Sequence, residues 1–225
     1  MLIIFDCDGV LVDSEVLALQ VNAEVYCEQG FEITIEEFSE RFSGMTGEEI
    51  MRDVSDELDT GLPQSLSDDI EARIDDKLGS ELNAITGVHR MLDMLDNPRC
   101  ICSNSSIERL GISLKRTDLL DRFRPYIYSA TEVGSKEPKP SSNVFIHAAN
   151  ALDSDPAQTI VLEDSTHGVA GAVAAGMRVV GFTGASHTYP THAEKLMEAG
   201  AETTINMLSD FPAVVEAFKS WDGRL

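Results

Sequence analysis

Four short stretches of this chain place acids, hydroxyls and lysines directly after or shortly after apolar runs. Asp6-Cys7-Asp8-Gly9 follows the run at 2–5, and Ser103-Asn104-Ser105 follows the run at 100–102. Lys136 and Lys139 come shortly after Ile127-Tyr128, and Glu163-Asp164-Ser165 follows the run at 160–162. Asp6, Asp8, Glu163 and Asp164 would make a dense acidic cluster. Carboxylates beside buried strands are costly unless their charge is matched. The cluster therefore calls for a bound cation or a shared proton. A hard cation with oxygen ligands fits, and Mg²⁺ is the usual choice when a phosphate also binds. The chemistry is then phosphoryl transfer. An Asp carboxylate attacks phosphorus and forms an aspartyl-phosphate. A second carboxyl two residues away protonates the leaving oxygen and then activates water. Ser103, backbone amides and a lysine suit the phosphoryl oxygens.

These groups need a scaffold that brings several strand ends together. The apolar runs at 2–5, 100–102, 127–128, 160–162 and 179–182 are continuous rather than alternating, the pattern of strands buried on both faces. Helical patterns at about 88–96, 106–115, 142–152 and 167–176 lie between them, with others near 190–199 and 211–220. Alternating strands and helices predict an α/β fold with a mostly parallel sheet. In such a sheet ligands bind beyond the carboxyl ends of the strands. The stretch from Glu15 to Glu81 breaks the rhythm, because no strand pattern occurs in it. Ile50, Val54 and Leu58 recur at four-residue spacing, as do Leu66, Ile70, Ile74 and Leu78. This predicts a helical insertion after the first strand. The boundaries fall at 1–14 and 84–225 for the α/β core and 15–83 for the insertion.

Composition narrows the partners. The chain has 225 residues, and 17 Lys and Arg stand against 39 Asp and Glu, a formal charge of −22. Nucleic acid is not expected, since backbone binding needs a concentrated basic surface, and an anionic membrane is disfavoured equally. Residues 36–81 carry 15 acidic and 4 basic side chains, half of the net charge. The four cysteines, Cys7, Cys27, Cys100 and Cys102, read as reduced core thiols of a cytosolic protein, without a zinc pattern. No secretory pattern opens the chain, so the cytoplasm is the expected compartment. A monomer is expected, because nothing in the chain calls for more.

The stretch from Phe5 to Glu15 (FDCDGVLVDSE) resembles the first motif of the haloacid-dehalogenase-like phosphohydrolases. Ser103-Asn104-Ser105 is similar to their second motif, and Lys139-Pro140 with Asn143 and Phe145 to their third. Leu162-Glu163-Asp164-Ser165, with Gly168-Val169 and Ala174-Ala175-Gly176-Met177, is similar to the fourth. The motifs occur in family order and span almost the whole chain. The resemblance implies a Rossmann-like parallel sheet core with an inserted small α-helical cap domain that closes over the site. It implies that Asp6 is the nucleophile and a metal ligand. Asp8 would be the general acid/base, with its carbonyl on the metal. Ser103 and Asn104 would hold the phosphoryl group, and Lys139 would neutralise it. Asp164 would ligate Mg²⁺, with Glu163 a direct or water-mediated ligand. Lys139 is preferred to Lys136 because Phe145, six residues on, matches the family's helix register.

The helical insertion resembles the cap of the subgroup that holds sugar-phosphate phosphatases and β-phosphoglucomutase. The expected substrate is accordingly a small phosphate monoester, a sugar or sugar-acid phosphate. Transfer between sugar positions, as in the mutase, is the alternative. Mutases of the family carry a histidine and an arginine where this chain has Ala18 and Gly47, which favours hydrolysis. Among the cap cations Arg41, Arg52, Arg73 and Lys77, Arg52 is the candidate for a distal anionic group of the substrate. His167 is read as a pocket or helix-capping residue. His187 and His192 flank Tyr189-Pro190 in a late loop, with no carboxylate cluster adjacent in sequence.

Overall fold

Leu2–Phe5 forms β1, a run of four residues buried on both faces. The sheet is completed by β2 (Arg99–Ser103), β3 (Ile127–Ser129), β4 (Thr159–Glu163), β5 (Arg178–Phe182) and β6 (Thr203–Ile205). All neighbours pair in parallel, in the order β3-β2-β1-β4-β5-β6. The order reverses between β1 and β4, so the ligand crevice of an open α/β sheet is expected at their carboxyl ends. Register sets what stands there. Phe5 pairs with Leu162 on one side and Ile101 on the other, so Asp6 and Glu163 come level where the strands end.

The computed structural model describes residues 1–42, 45, 47–59, 61–63 and 65–220. The chain divides into two compact units, one made of Met1–Asp13 and the chain from Asn83 on, the other of Ser14–Leu82. In the sheet unit, helices α5 (Val88–Asp93), α6 (Ile107–Arg116), α7 (Leu120–Phe123), α8 (Asn143–Ala151), α9 (Thr166–Ala174), α10 (His192–Glu198) and α11 (Phe211–Ser220) connect and cover the strands. Side chains alternate across a strand. Leu2 and Ile4 of β1 therefore join Cys100, Cys102, Val161 and Val179 in one cluster, covered by Val144, Phe145, Ala148, Val169 and Leu196. Phe5 meets Phe123 and Phe211 edge-to-face, each at 5.7 Å. The chain leaves this unit and returns to it side by side. The Asp13 N–H donates to the Asn83 carbonyl at 3.1 Å, and the Ile85 N–H to the Leu11 carbonyl at 2.9 Å.

The second unit is helical, with α1 (Glu15–Glu28), α2 (Ile35–Phe42), α3 (Gly47–Leu58) and α4 (Leu66–Glu81). Ile70, Ile74 and Leu78 line the buried stripe of α4, and Val21, Val25 and Tyr26 that of α1. Tyr26 stacks on Phe38 at 5.8 Å, and Phe38 packs on Phe42 at 4.8 Å. Its acidic surface is partly paired. Arg73 on α4 grips Glu28 on α1 through both carboxylate oxygens, and Lys77 reaches Glu24 at 3.3 Å. Exposed pairs of this kind contribute about 0–1 kcal/mol each, so the apolar stripes hold the unit together.

Four details depart from the sequence reading. β6 has no strong apolar pattern, being a three-residue edge strand of sequence Thr-Thr-Ile. The single turn α7 is likewise too short for a periodic signal. α5 stops at Asp93, short of 96. Cys27 is exposed, its thiol donating to the Ile33 carbonyl at 3.2 Å, so it is not a core thiol. No described helix is long and apolar enough to cross a membrane.

Candidate active site

Asp6 follows the last residue of β1 and is 8 % exposed. Its N–H continues the sheet ladder to the Leu162 carbonyl at 3.0 Å, which ties the residue to the end of β4. One carboxylate oxygen accepts from Lys139 Nζ at 2.8 Å. The same ammonium donates to Glu163 Oε1 at 2.5 Å and lies 5.4 Å from the centre of the Phe145 ring. Lys139 is itself clamped. Its N–H donates to Asn104 Oδ1 at 2.8 Å, and Asn104 Nδ2 donates back to its carbonyl at 3.5 Å. Asn104 thus couples the loop after β2 to the lysine. Lys136 is exposed and outside this cluster.

Glu163 is wholly buried, and its second oxygen accepts from both the N–H and the hydroxyl of Ser165, at 2.9 and 3.0 Å. Ser165 in turn caps α9 by accepting from the Gly168 N–H at 2.9 Å. A Cβ at residue 168 would lie 1.7 Å from Glu163 Oε1, so glycine is what lets α9 start this close to the acid. Asp164 is 6 % exposed and completes the cluster. Ligand oxygens of Asp6, Glu163 and Asp164 all lie within 4.8 Å of one another.

Asp8 turns its carboxylate to the end of β2. It accepts from Ser105 Oγ at 2.7 Å and from Ser103 Oγ at 3.3 Å. The loop that carries it folds back tightly. The Gly9 N–H reaches the Val12 carbonyl at 2.8 Å, with Gly9 at φ +73°, a conformation that favours glycine.

The electrostatics are unbalanced. Three buried acids and Asp8 face a single ammonium. Burial pushes the Asp6 carboxyl well above the usual range; Lys139 opposes this, and Glu163, Asp164 and Asp8 add to it. Burial also raises Asp164, against the hydrogen bond from His187. Burial pulls the Lys139 ammonium down, but Asp6 and Glu163 more than offset that and hold it charged. An additional positive charge would relieve the excess. The clustered donors are carboxylate oxygens, which suit a hard divalent cation such as Mg²⁺. Asp6, Glu163 and Asp164 are the side chains that would hold it.

The predicted residues Asp6, Asp8, Ser103, Asn104, Lys139, Glu163 and Asp164 therefore meet at adjoining strand ends. Arg52 belongs to α3 of the helical unit, where its side chain is 66 % exposed and 3.8 Å from Asp53. Arg41, Arg73 and Lys77 have closer acidic partners. Of the positions compared with the mutases, Ala18 lies on α1 and Gly47 opens α3, while Gly44 and Thr46 lie outside the described residues. His167 is exposed at the start of α9. Sequence reading missed Ser105, whose hydroxyl holds Asp8, and His187, whose Nε2 lies 3.1 Å from Asp164 Oδ2. Ser105 was visible within its motif. His187 had no such signal, because only folding brings it to Asp164.

Comparison with known proteins agrees with this geometry. The family model described as haloacid dehalogenase-like hydrolase matches residues 3–182. A 6-phosphogluconate phosphatase of Escherichia coli (strain K12) is 30 % identical over 221 residues, 98 % of this chain and 96 % of its own. A haloacid dehalogenase-like protein of unknown function from Agrobacterium tumefaciens str. C58 superposes with a TM-score of 0.89 at 49 % identity, covering 97 % of this chain and 99 % of its own. A hydrolase of the same family from Deinococcus radiodurans R1, solved with bound phosphate and sodium, gives a TM-score of 0.83 at 29 % identity, covering 96 % and 95 % of the two chains.

Proposed function

The chain belongs to the haloacid dehalogenase-like hydrolases, and from that membership we propose how its site works and on what class of ester. The protein is a phosphatase that hydrolyses a small phosphate monoester through an aspartyl-phosphate on Asp6, with Mg²⁺ as cofactor. The observation that carries this reading is Asp6, held by Lys139 at 2.8 Å inside a buried acidic cluster at the ends of β1 and β4.

Asp6 attacks phosphorus in line with the ester oxygen. Asp8 gives its proton to the departing alcohol, then removes a proton from the water that cleaves the acyl-phosphate and restores Asp6. The hydroxyls of Ser103 and Ser105 already orient the Asp8 carboxylate. When the ester binds, the Ser103 hydroxyl turns from Asp8, which Ser105 keeps, and with the Asn104 N–H holds phosphoryl oxygens, while Lys139 neutralises their charge. When bound, Mg²⁺ lowers the repulsion between an anionic nucleophile and an anionic phosphate.

The proposed substrates are sugar or sugar-acid phosphates. The E. coli relative, named for action on 6-phosphogluconate, supports that class. The helical unit is proposed to act as a specificity cap, with Arg52, the cap cation with the loosest acidic partner, recognising an anionic group of the substrate. A monomer in the cytoplasm is proposed for the whole.

The test is phosphate release from hexose phosphates, 6-phosphogluconate, phosphoglycolate and nucleotides, with Mg²⁺ and with chelator. Release that requires Mg²⁺, vanishes in Asp6→Asn and is strongest on sugar-acid phosphates is expected. Arg52→Ala is expected to raise KM while leaving kcat in place. Release undiminished in Asp6→Asn would contradict the reading, and a preference for nucleotides would contradict the substrate class.

A further inference from the structure

The loop after β5 and the first residue of α10 carry two histidines that engage the same residue. His187 Nε2 lies 3.1 Å from Asp164 Oδ2, and His192 Nε2 lies 2.6 Å from the Asp164 backbone carbonyl. A carbonyl only accepts, so His192 Nε2 carries a hydrogen. His192 is buried, with Thr188 Oγ1 3.4 Å from its other nitrogen and the Tyr189 ring stacked on it at 4.7 Å. The other side of His187 is also fixed. The Ser186 N–H donates to Asp13 at 3.1 Å, and its hydroxyl donates to the same carboxylate. His187 thus stands between two anchored neighbours.

The loop after β1 is shaped around this contact. A Cβ at residue 9 would lie 1.8 Å from Asp164 Oδ2 and 2.8 Å from His187 Cε1. Only a glycine leaves room for the acid and the imidazole together.

We propose that His187 is a positioning residue for the cation ligand Asp164, donating Nε2–H to Oδ2 so that the carboxylate keeps one orientation toward Asp6 and Glu163. The inference rests on the acidic cluster being the Mg²⁺ site. Its physical need is plain. Neighbouring carboxylates repel each other, and a ligand free to rotate must be ordered each time a cation binds. Hydrogen bonds from outside the ligand set remove that cost, and their loss typically weakens metal binding about 10–100-fold. Glu163 has Ser165 and Lys139 for this purpose, and Asp6 has Lys139. Asp164 has His187.

The experiment is direct titration of metal-free protein with Mn²⁺, with free ion read by electron paramagnetic resonance. Wild type is compared with His187→Ala, His187→Phe and His187→Gln. Phe keeps a ring in the loop but cannot donate, and Gln restores an N–H donor. Ala and Phe are expected to weaken Mn²⁺ binding about 10–100-fold, with Gln recovering most of the loss. Urea midpoints of the metal-free Phe and Gln variants are expected to match wild type. Wild-type affinity in His187→Phe would overturn the inference, as would a His187→Gln protein that binds no better than His187→Phe. Should His187→Ala not fold, the Phe and Gln pair decides the matter alone. Absence of Mn²⁺ binding by the wild-type chain would overturn the metal reading and this inference with it.

Discussion

Lys139 is the counter-ion on which the metal-free site depends. Its ammonium sits between Asp6 and Glu163, and its side chain is 3 % exposed. Removing one partner of a buried ion pair leaves charge uncompensated, at a cost of about 3–5 kcal/mol. Lys139→Met is therefore expected to lower urea stability by that amount in chelator. An unchanged midpoint would show that the acids are already discharged without the lysine. At this scale the legibility of the chain was uneven. Asp6, Asp8, Glu163 and Asp164 could be singled out because each lies in a stretch directly after an apolar run, and Lys139 through its resemblance to the family's third motif with Pro140, Asn143 and Phe145. His187 and His192 could not, since the loop and helix start that carry them begin some twenty residues beyond Asp164 and reach it only through the β4–β5 pairing. Gly168 was legible as part of a motif, but its reason, the 1.7 Å approach to Glu163, was not.

Elements fix the distances that residues then use. The β1–β4 register brings Asp6 level with Glu163, and the Ser165 cap starts α9 against that acid. Two glycine substitutions separate tight helix placement from simple helix propensity. Gly168→Ala must displace the Glu163 carboxylate, and overpacking of this kind costs about 1–3 kcal/mol. It is expected to lower both the urea midpoint and phosphate release. Gly111, inside α6, has open space where a Cβ would go. Gly111→Ala is expected to raise stability by about 0.5–1 kcal/mol, with turnover unchanged. Equal effects of the two changes would contradict the placement of α9. The four longer strands, β1, β2, β4 and β5, were readable because a buried parallel strand is a continuous apolar run, and the three-residue edge strand β3 was readable only through its Ile127-Tyr128 pair. β6, the other three-residue edge strand, was not, because its sequence Thr-Thr-Ile has one apolar residue and so no apolar run.

The whole chain carries a charge of −22, and half of it falls in residues 36–81. An acidic field attracts a divalent cation over long range, and salt shortens that reach from about 30 Å at 0.01 M to about 10 Å at 0.1 M. Calorimetric affinity for Mg²⁺ is therefore expected to fall as NaCl is raised across this range. No change would mean that only the buried cluster attracts the ion. Composition could predict this field but not where the ester binds, since the phosphate must be drawn in by local positive charge against it. The central claim is that Asp6 becomes covalently phosphorylated. The most direct test is a rapid acid quench of the Mg²⁺-loaded protein during its first turnover of p-nitrophenyl phosphate, followed by peptide mapping of the acyl-phosphate. The account predicts a hydroxylamine-labile phosphoryl group on Asp6 that forms with p-nitrophenol, decays with phosphate release and is absent in Asp6→Asn. Phosphate released in that turnover with Asp6 unmodified throughout would contradict it.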